Sequence, residues 1–301
     1  MQNTPNNPIS PNPLFSVLIA NYNNGKYLVE AIDSVRRQTY THWEIILVDD
    51  ASTDNSKELY KELEKDNRIH IYYNEENRGC GYTKRRCADL ANGELCGFLD
   101  PDDALTDDAL STMAMAHIRE KDSSLIYSCY YIADAMLNCQ GISQHQCSLP
   151  QGTSFLEYGN GAVSHFATFK KAKYAITNGI NPHARRAVDH DLYFLLEEVG
   201  SLTFVDKPLY YYRCNTGNNI SLGGNAFKAL LWDFLAAANA CQRRGLSVET
   251  IAMPLIENYL NSFKSAVAME SANSVRRTHA YQIGAMFIRI PKKLKSFFFH
   301  K

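Results

Sequence analysis

The chain lacks an excess of either charge: 31 Lys and Arg stand against 32 Asp and Glu, a formal −1 at pH 7. A polyanion would find nothing global to hold, so nucleic acid is not an expected partner. It lacks any uninterrupted apolar run of about 18 residues, which excludes a single membrane-spanning helix. Its start, Met-Gln-Asn-Thr-Pro-Asn-Asn-Pro, has neither the basic nor the apolar region of a secretory signal, and the expected compartment is the reducing cytoplasm. The eight cysteines include no Cys-x-x-Cys pair, so zinc is not favoured, and Cys80, Cys87 and Cys96 read as small buried hydrophobes. The turn Asn21-Tyr-Asn-Asn-Gly-Lys26 lacks Gly-x-Gly-x-x-Gly, which argues against a nicotinamide dehydrogenase.

What is present is enough to fold. Apolar residues make up 45% of the 301-residue chain, charged residues 21% and aromatic residues 11%, the composition of an ordinary globular protein with one large core or two. Residues 1–13, with Pro5, Pro8, Pro11 and Pro13 among Asn and Ser, have no period and are expected to be a disordered lead-in. Phe15-Ser-Val-Leu-Ile-Ala20 is a short continuous apolar run, as a strand buried on both faces shows, and Leu28, Ile32 and Val35 follow at helical spacing. The unit repeats with a strand over 43–48 and a helix over about 54–65, a strand over 69–73 and a helix over about 82–91, then a fourth strand over 95–99. This alternation predicts a doubly wound parallel sheet that binds ligands at the carboxyl ends of its strands. Beyond it, strands over 124–133 and 162–169, a helix over 189–198 and a strand over 202–213 interrupted at Pro208 predict a mixed sheet domain to about residue 220. Runs from Asn225 onward have helical period and predict a helical C-terminal extension.

Three strand ends carry polar clusters: Asn21-Tyr22-Asn23, Asp49-Asp50, and Asp100-Pro101-Asp102-Asp103. In a doubly wound sheet they converge on one rim. A helix cap explains Thr53 or Asp54 as well as any function does, but two adjacent carboxylates after Leu47-Val48 exceed what one cap requires. Asp100 and Asp102 lie on the same side of an extended backbone, with Asp103 beside them. Their repulsion calls for a counter-cation, and Mn2+ or Mg2+ takes one or two carboxylates while leaving positions for phosphate oxygens. A metal–diphosphate site follows. The alternative for Asp102 or Asp103 is a turn before a helix capped near Thr106 and Asp107. His165, His183 and His190 read as surface or satisfied core residues, and Lys170, Lys171 and Lys173 as a solvated face.

These residues carry a resemblance. Phe15-Ser-Val-Leu-Ile-Ala-Asn-Tyr-Asn23, Ser34-Val-Arg-Arg-Gln-Thr-Tyr40, Glu44-Ile-Ile-Leu-Val-Asp-Asp-Ala-Ser-Thr-Asp54, Asn77-Arg-Gly79, Asn92-Gly-Glu94 and Phe98-Leu-Asp-Pro-Asp-Asp103 resemble, in this order and spacing, the family 2 inverting glycosyltransferases of the GT-A fold, of the bacterial cell-surface polysaccharide type. Val188-Asp-His-Asp-Leu192 and Lys207-Pro-Leu-Tyr-Tyr-Tyr-Arg213 resemble the acceptor half of that family, so the likeness reaches about residue 222.

The resemblance implies a mixed, mainly parallel α/β sheet flanked by helices, and a UDP-sugar donor. It implies that Tyr22 lies against the uracil and that Asp50 accepts from its N3–H. Asp100 and Asp102 match the DxD acids, Asp102 as the direct metal ligand and Asp100 nearer the ribose. Lys84 stands where the family usually has an Arg approaching the nucleotide, so the charge is kept and the bidentate fork is lost. Asp189 aligns with the catalytic base. Asp191 is its rival, but the two are about 200° apart on a helix that advances roughly 100° per residue, so only one faces the cleft.

The expected domains are a catalytic domain over 14–222, with a nucleotide-sugar half to 105 and an acceptor half from 106, and an extension over 223–301. After Glu270 the chain has no acidic residue, and over 281–299 bulky apolar residues alternate with basic ones up to Phe297, Phe298 and Phe299. This reads as a segment lying on an anionic membrane, which suits a lipid-linked saccharide as well as a free saccharide acceptor. Packing of the Phe cluster on protein is the alternative. Two rival functions compete: a haloacid-dehalogenase-like phosphohydrolase with Asp100 as nucleophile, and a non-catalytic nucleotide-sugar-binding module.

Overall fold

A computed structural model of the chain describes residues 9–159, 161–214, 226–254, 256, 257 and 261. The first half alternates as its apolar runs predict: β1 (Phe15–Asn21), α1 (Gly25–Arg36), β2 (Trp43–Asp49), α2 (Ser56–Leu63), β3 (Ile69–Tyr73), α3 (Cys80–Leu90) and β4 (Leu95–Phe98). There follow β5 (Ala104–Leu105), α4 (Ala109–Arg119), β6 (Ser123–Ala133), β7 (Cys139–Ile142), α5 (Phe155–Tyr158), β8 (Ala167–Lys170), α6 (Lys171–Tyr174), α7 (Val188–Glu197), β9 (Ser201–Arg213), α8 (Ala226–Arg244) and α9 (Val248–Ile251).

The described strands form one sheet in the order β3-β2-β1-β4-β8-β6-β9-β5, with β7 paired to β6. Strands β3, β2, β1 and β4 run parallel, β8 is antiparallel to both β4 and β6, and β6 and β9 are again parallel. Val17, Ile19, Ile45 and Leu47 join α1, α2 and α4 in one core. The alternate residues Leu18, Ile46 and Val48 are equally buried, because successive strand side chains face opposite sides and this sheet is covered on both. The register that pairs Asn21 with Asp49 ends β1 and β2 at one level, so the polar residues just beyond them meet.

Several expectations are corrected. Residues 9–13, expected in a disordered lead-in, are tied down: the Ser10 amide donates to Glu94, and the Pro13 carbonyl accepts from the Tyr40 hydroxyl at 2.6 Å. The strand expected over 162–169 is only Ala167–Lys170, and Pro208 lies within β9, where the ladder to β6 shifts register opposite Cys129 instead of ending. Lys170 is buried, its ammonium donating to the Glu120 and Lys121 carbonyls, and the Lys171 ammonium donates to the Ala88 carbonyl, so these two are anchors and not a solvated face. The chain divides into compact units Met1–Ala252 and Met253–Lys301. Helix α8 is bound to α7 by ion pairs of Arg243 and Arg244 with Glu198 and of Arg244 with Glu197. Of the second unit, residues 253, 254, 256, 257 and 261 are described and are helical. The basic and aromatic tail over 281–299 lies outside the described residues.

Candidate active site

Asp49 and Asp50 leave β2 in opposite directions, as strand geometry requires. Asp49 turns into the protein, accepting from the Tyr60 hydroxyl at 2.6 Å and the Ser52 amide at 2.9 Å. Asp50 turns to the rim. Its Oδ1 accepts from Asn74 Nδ2 at 2.7 Å and the Arg78 amide at 2.8 Å, and its Oδ2 from the Gly79 amide at 2.8 Å. One lone-pair direction of Oδ2 remains for a ligand. Asp54 serves the helix start, as a cap would: its carboxylate accepts from the Ser56 amide and hydroxyl, and also from the Gly25 amide.

Beyond β4 the three carboxylates separate by role. Asp103 is buried, accepting from the Tyr210 hydroxyl and the Arg213 amide, each at 2.7 Å. Burial, with the Asp102 and Asp100 charges, pushes its pKa well above the ordinary carboxylate value. Arg213 is itself buried. It donates to the Asp102 carbonyl and pairs with Glu30, so α1 and β9 clamp the loop. Asp100 and Asp102 are left facing the rim.

Helix α7 supplies the fourth carboxylate. Ala187 ahead of it takes φ 52° and turns the chain into the helix. Asp189 follows, its side chain 33% exposed and therefore accessible, and it accepts from the Lys84 ammonium at 2.8 Å. Asp191 is buried on another side of α7, and burial raises its pKa against the pull of Arg243. Burial is the largest influence on Asp189 and acts to raise its pKa too, but the charge and hydrogen bond of Lys84, together with His165 and His190, hold the group below the ordinary value. Lys84 also stands 3.3 Å from Asp100. Those two carboxylates outweigh the cost of its burial and push its pKa well above the usual lysine value.

Tyr22, Asp50, Lys84, Asp100, Asp102 and Asp189 all line one cavity of about 680 Å³, and Asp191 does not line it. Tyr22 is half exposed. The cavity also takes in Cys80, His165, Arg185, Arg186 and Tyr212. Cys80 was expected to be buried hydrophobe; it is half-buried, and burial pushes its thiol up to about 11, so it stays protonated and is no nucleophile at neutral pH. No local pattern marks His165, because what brings it to the cavity is the stacking of its ring on β9. Arg185 does have a signal in hindsight: Gly79 takes φ +89°, and a Cβ there would meet Arg185 Nη1 at 1.9 Å.

Among the described residues no three His, Cys, Asp or Glu side chains form a metal cage. Asp100 and Asp102 fit a hard divalent cation of the kind that takes one or two carboxylates and completes its shell with phosphate oxygens. Such an ion would be held jointly by the loop and a diphosphate.

The family model for glycosyl transferase family 2 matches residues 16–180. Among curated proteins the chain is similar to glycosyltransferase GlyG of Streptococcus pneumoniae serotype 4, at 28% identity over 273 residues, covering 84% of this chain and 89% of the relative. It is also similar to a chondroitin synthase of Escherichia coli, at 30% identity over 216 residues, covering 70% of this chain but 30% of that longer protein. Among solved structures, S. aureus TarS 1-349 in complex with UDP-GlcNAc aligns with a TM-score of 0.65 at 19% identity, over 82% of this chain and 71% of that one. The mannosyltransferase PcManGT from Pyrobaculum calidifontis, in complex with GDP-Man and Mn2+, aligns with a TM-score of 0.58 at 14% identity, over 92% and 86%. Likeness at such identities establishes the shared GT-A fold. With the family match over more than half its length, the chain belongs to glycosyl transferase family 2 and is a glycosyltransferase.

Proposed function

We propose that this enzyme moves a hexose from a UDP-sugar to a hydroxyl of a saccharide acceptor, with inversion at the anomeric carbon and with Mn2+ or Mg2+ at the donor diphosphate. The observation that carries the reading is the order of groups along one cavity: Asp50 beyond β2, Tyr22 beyond β1, Asp100 and Asp102 beyond β4, and Asp189 linked to Asp100 through Lys84. That sequence matches the parts of a nucleoside diphosphate sugar from base to sugar. Tyr22 offers a ring face to the uracil, and Asp50 accepts from an N–H of the base. Asp100 and Asp102 would hold the divalent ion, which when bound supplies charge stabilisation to the departing diphosphate. Lys84 offers its ammonium to phosphate oxygens. Asp189 takes the proton of the attacking hydroxyl, and a single base acting on the face opposite the leaving group gives inversion. The phosphohydrolase reading falls with the family assignment.

Two further parts of the reading are the acceptor and its location. A lipid-linked saccharide at the cytoplasmic face of a membrane suits the basic, aromatic residues over 281–299, and co-sedimentation with anionic vesicles of the full chain against one ending at Ile290 tests it. Equal, negligible pelleting of both at low salt removes the membrane contact.

The donor reading is tested by incubating the protein with UDP-glucose, UDP-galactose, UDP-GlcNAc, UDP-GalNAc and UDP-glucuronate, with Mn2+ and with EDTA, and measuring free UDP. Release from one donor, dependent on metal, is expected. No release from any of them overturns the reading.

A further inference from the structure

His165 is the one histidine among the described residues that line the cavity. Its imidazole lies along the face of β9 shared by Tyr210 and Tyr212, which point the same way because they are two residues apart. The ring centroids are 4.9 Å apart at 16° for Tyr210 and 5.7 Å apart at 13° for Tyr212, and Tyr130 of β6 meets the imidazole edge-on at 6.2 Å. Tyr210 is fixed in turn, since its hydroxyl accepts from the Asp100 amide at 3.1 Å and donates to Asp103 at 2.7 Å. A ring stacked on two others, one of them bonded to the loop of Asp100 and Asp102, has its orientation set by that loop.

The place it faces follows from the reaction. The leaving phosphate and the attacking hydroxyl lie on opposite sides of the anomeric carbon. If Asp100 and Asp102 hold the diphosphate side and Asp189 the attacking side, the transferred sugar fills the interval between them. His165 lines the same cavity as Asp100, Asp102 and Asp189 and stacks on Tyr210, whose hydroxyl meets the Asp100 amide, so the imidazole borders that interval. Burial, the largest influence on the imidazole, lowers its proton affinity, and with the Lys84 and His190 charges it prevails over the Asp100 and Asp189 carboxylates. A neutral imidazole carries one donor and one acceptor, which complement a sugar hydroxyl that can do both.

We infer that His165 is a donor-sugar contact: its imidazole hydrogen-bonds a ring hydroxyl of the glycosyl unit being transferred and so helps select which sugar is accepted. The inference rests on the roles proposed above for Asp100, Asp102 and Asp189. It differs from a packing role in one measurable respect, because a sugar contact distinguishes UDP-sugar from UDP whereas support of the Asp100 loop affects both.

The test is calorimetric titration, in Mn2+, of UDP and of whichever UDP-sugar the wild-type chain turns over. His165→Phe keeps a ring against Tyr210 and Tyr212 and deletes the hydrogen bond. It should leave the Kd for UDP unchanged and weaken the UDP-sugar roughly 3- to 10-fold, the range of one neutral hydrogen bond. His165→Gln, which keeps a donor and an acceptor, should recover part of that loss. Should His165→Phe fail to fold, His165→Leu carries the same comparison. Equal weakening of UDP and UDP-sugar, or no weakening of either, overturns the inference while leaving the donor reading intact. A wild-type chain that neither binds UDP nor releases it from any UDP-sugar overturns the donor reading and takes this inference with it.

Discussion

Lys84 donates to Oδ1 of Asp189 at 2.8 Å across 105 positions of sequence. The ammonium is buried, while the carboxylate is about one-third exposed and opens to the cavity. The pair therefore joins a fixed cation from the nucleotide half of the chain to an accessible base candidate from the acceptor half. Asp100, at 3.3 Å, shares the same cation.

Removing that cation should change the pH dependence of catalysis. In Lys84→Met the largest of the influences that lower the Asp189 pKa is gone, while burial still acts to raise it, so its pKa rises. The base must be deprotonated to work, and the acidic limb of kcat/KM against pH should move to higher pH. Lys84→Arg should bring it back, because it restores the charge. The stability sign agrees: a depressed Asp189 pKa contributes stability above the unfolded carboxylate value of about 3.9, lost as pH falls through the folded one. Thermal unfolding of wild type should show this acid step, and Lys84→Met should lack it. An unmoved acidic limb in the variant would separate Lys84 from the base.

Asp189→Asn should lower kcat at least about 10²-fold with little change in donor affinity, the usual scale for losing a general base. Asp191→Asn should be much milder. Because burial raises the Asp191 pKa, its ionised form is costly in the fold, and the neutral amide should leave Tm unchanged or higher at pH 7. Steady-state kinetics on both variants checks this, and the reverse order of defects would transfer the role to Asp191.

Asp102→Ala should abolish transfer without unfolding the protein, since Asp102 faces the cavity while its neighbour Asp103 ties down the loop. EDTA should abolish activity in wild type, and added Mn2+ should restore it. Full turnover of a UDP-sugar by the metal-free protein would remove the metal from the reading.

Gly79→Ala should weaken nucleotide binding. The position takes φ +89°, where an L side chain costs on the order of 1 kcal/mol or more, and the new Cβ would collide with Arg185. Both the Gly79 and Arg78 amides orient Asp50, so a shift of this turn displaces the carboxylate. A Kd for UDP raised several-fold, with kcat at saturating donor much less affected, is the expected pattern. Unchanged affinity would show that Asp50 does not depend on this turn.

The repeating strands and helices of the first half were legible because their causes are local: apolar runs of strand length, then apolar residues at helical spacing. The ordered motifs were legible as a set, although several prove structural. Gln38 bonds the Thr106 carbonyl and the Leu110 amide and so pins the end of α1 to α4, while Asn92 and Gly93 bond Glu44 and Ser16 near the amino ends of β2 and β1. Helical arithmetic also allowed only one of Asp189 and Asp191 to face the cleft, and it is Asp189 that lines the cavity.

Only the tertiary structure decided which of the adjacent carboxylates turn inward. Asp49 and Asp103 are indistinguishable in sequence from their neighbours, yet each finds buried hydroxyl and amide donors, Asp49 from Tyr60 and Ser52 in the helix and loop that follow it and Asp103 from Tyr210 and Arg213 more than 100 positions away, and those partners make burial tolerable. The same holds for the ordered residues 9–13, for the buried Lys170, and for His165, whose position depends on two tyrosines more than 40 residues away. Sequence by itself determined the elements of the first half and the candidate chemistry, because periodicity and residue type are properties of short segments. Which groups reach the cavity was decided by long-range pairing, because a buried charge or ring stays where distant partners satisfy it.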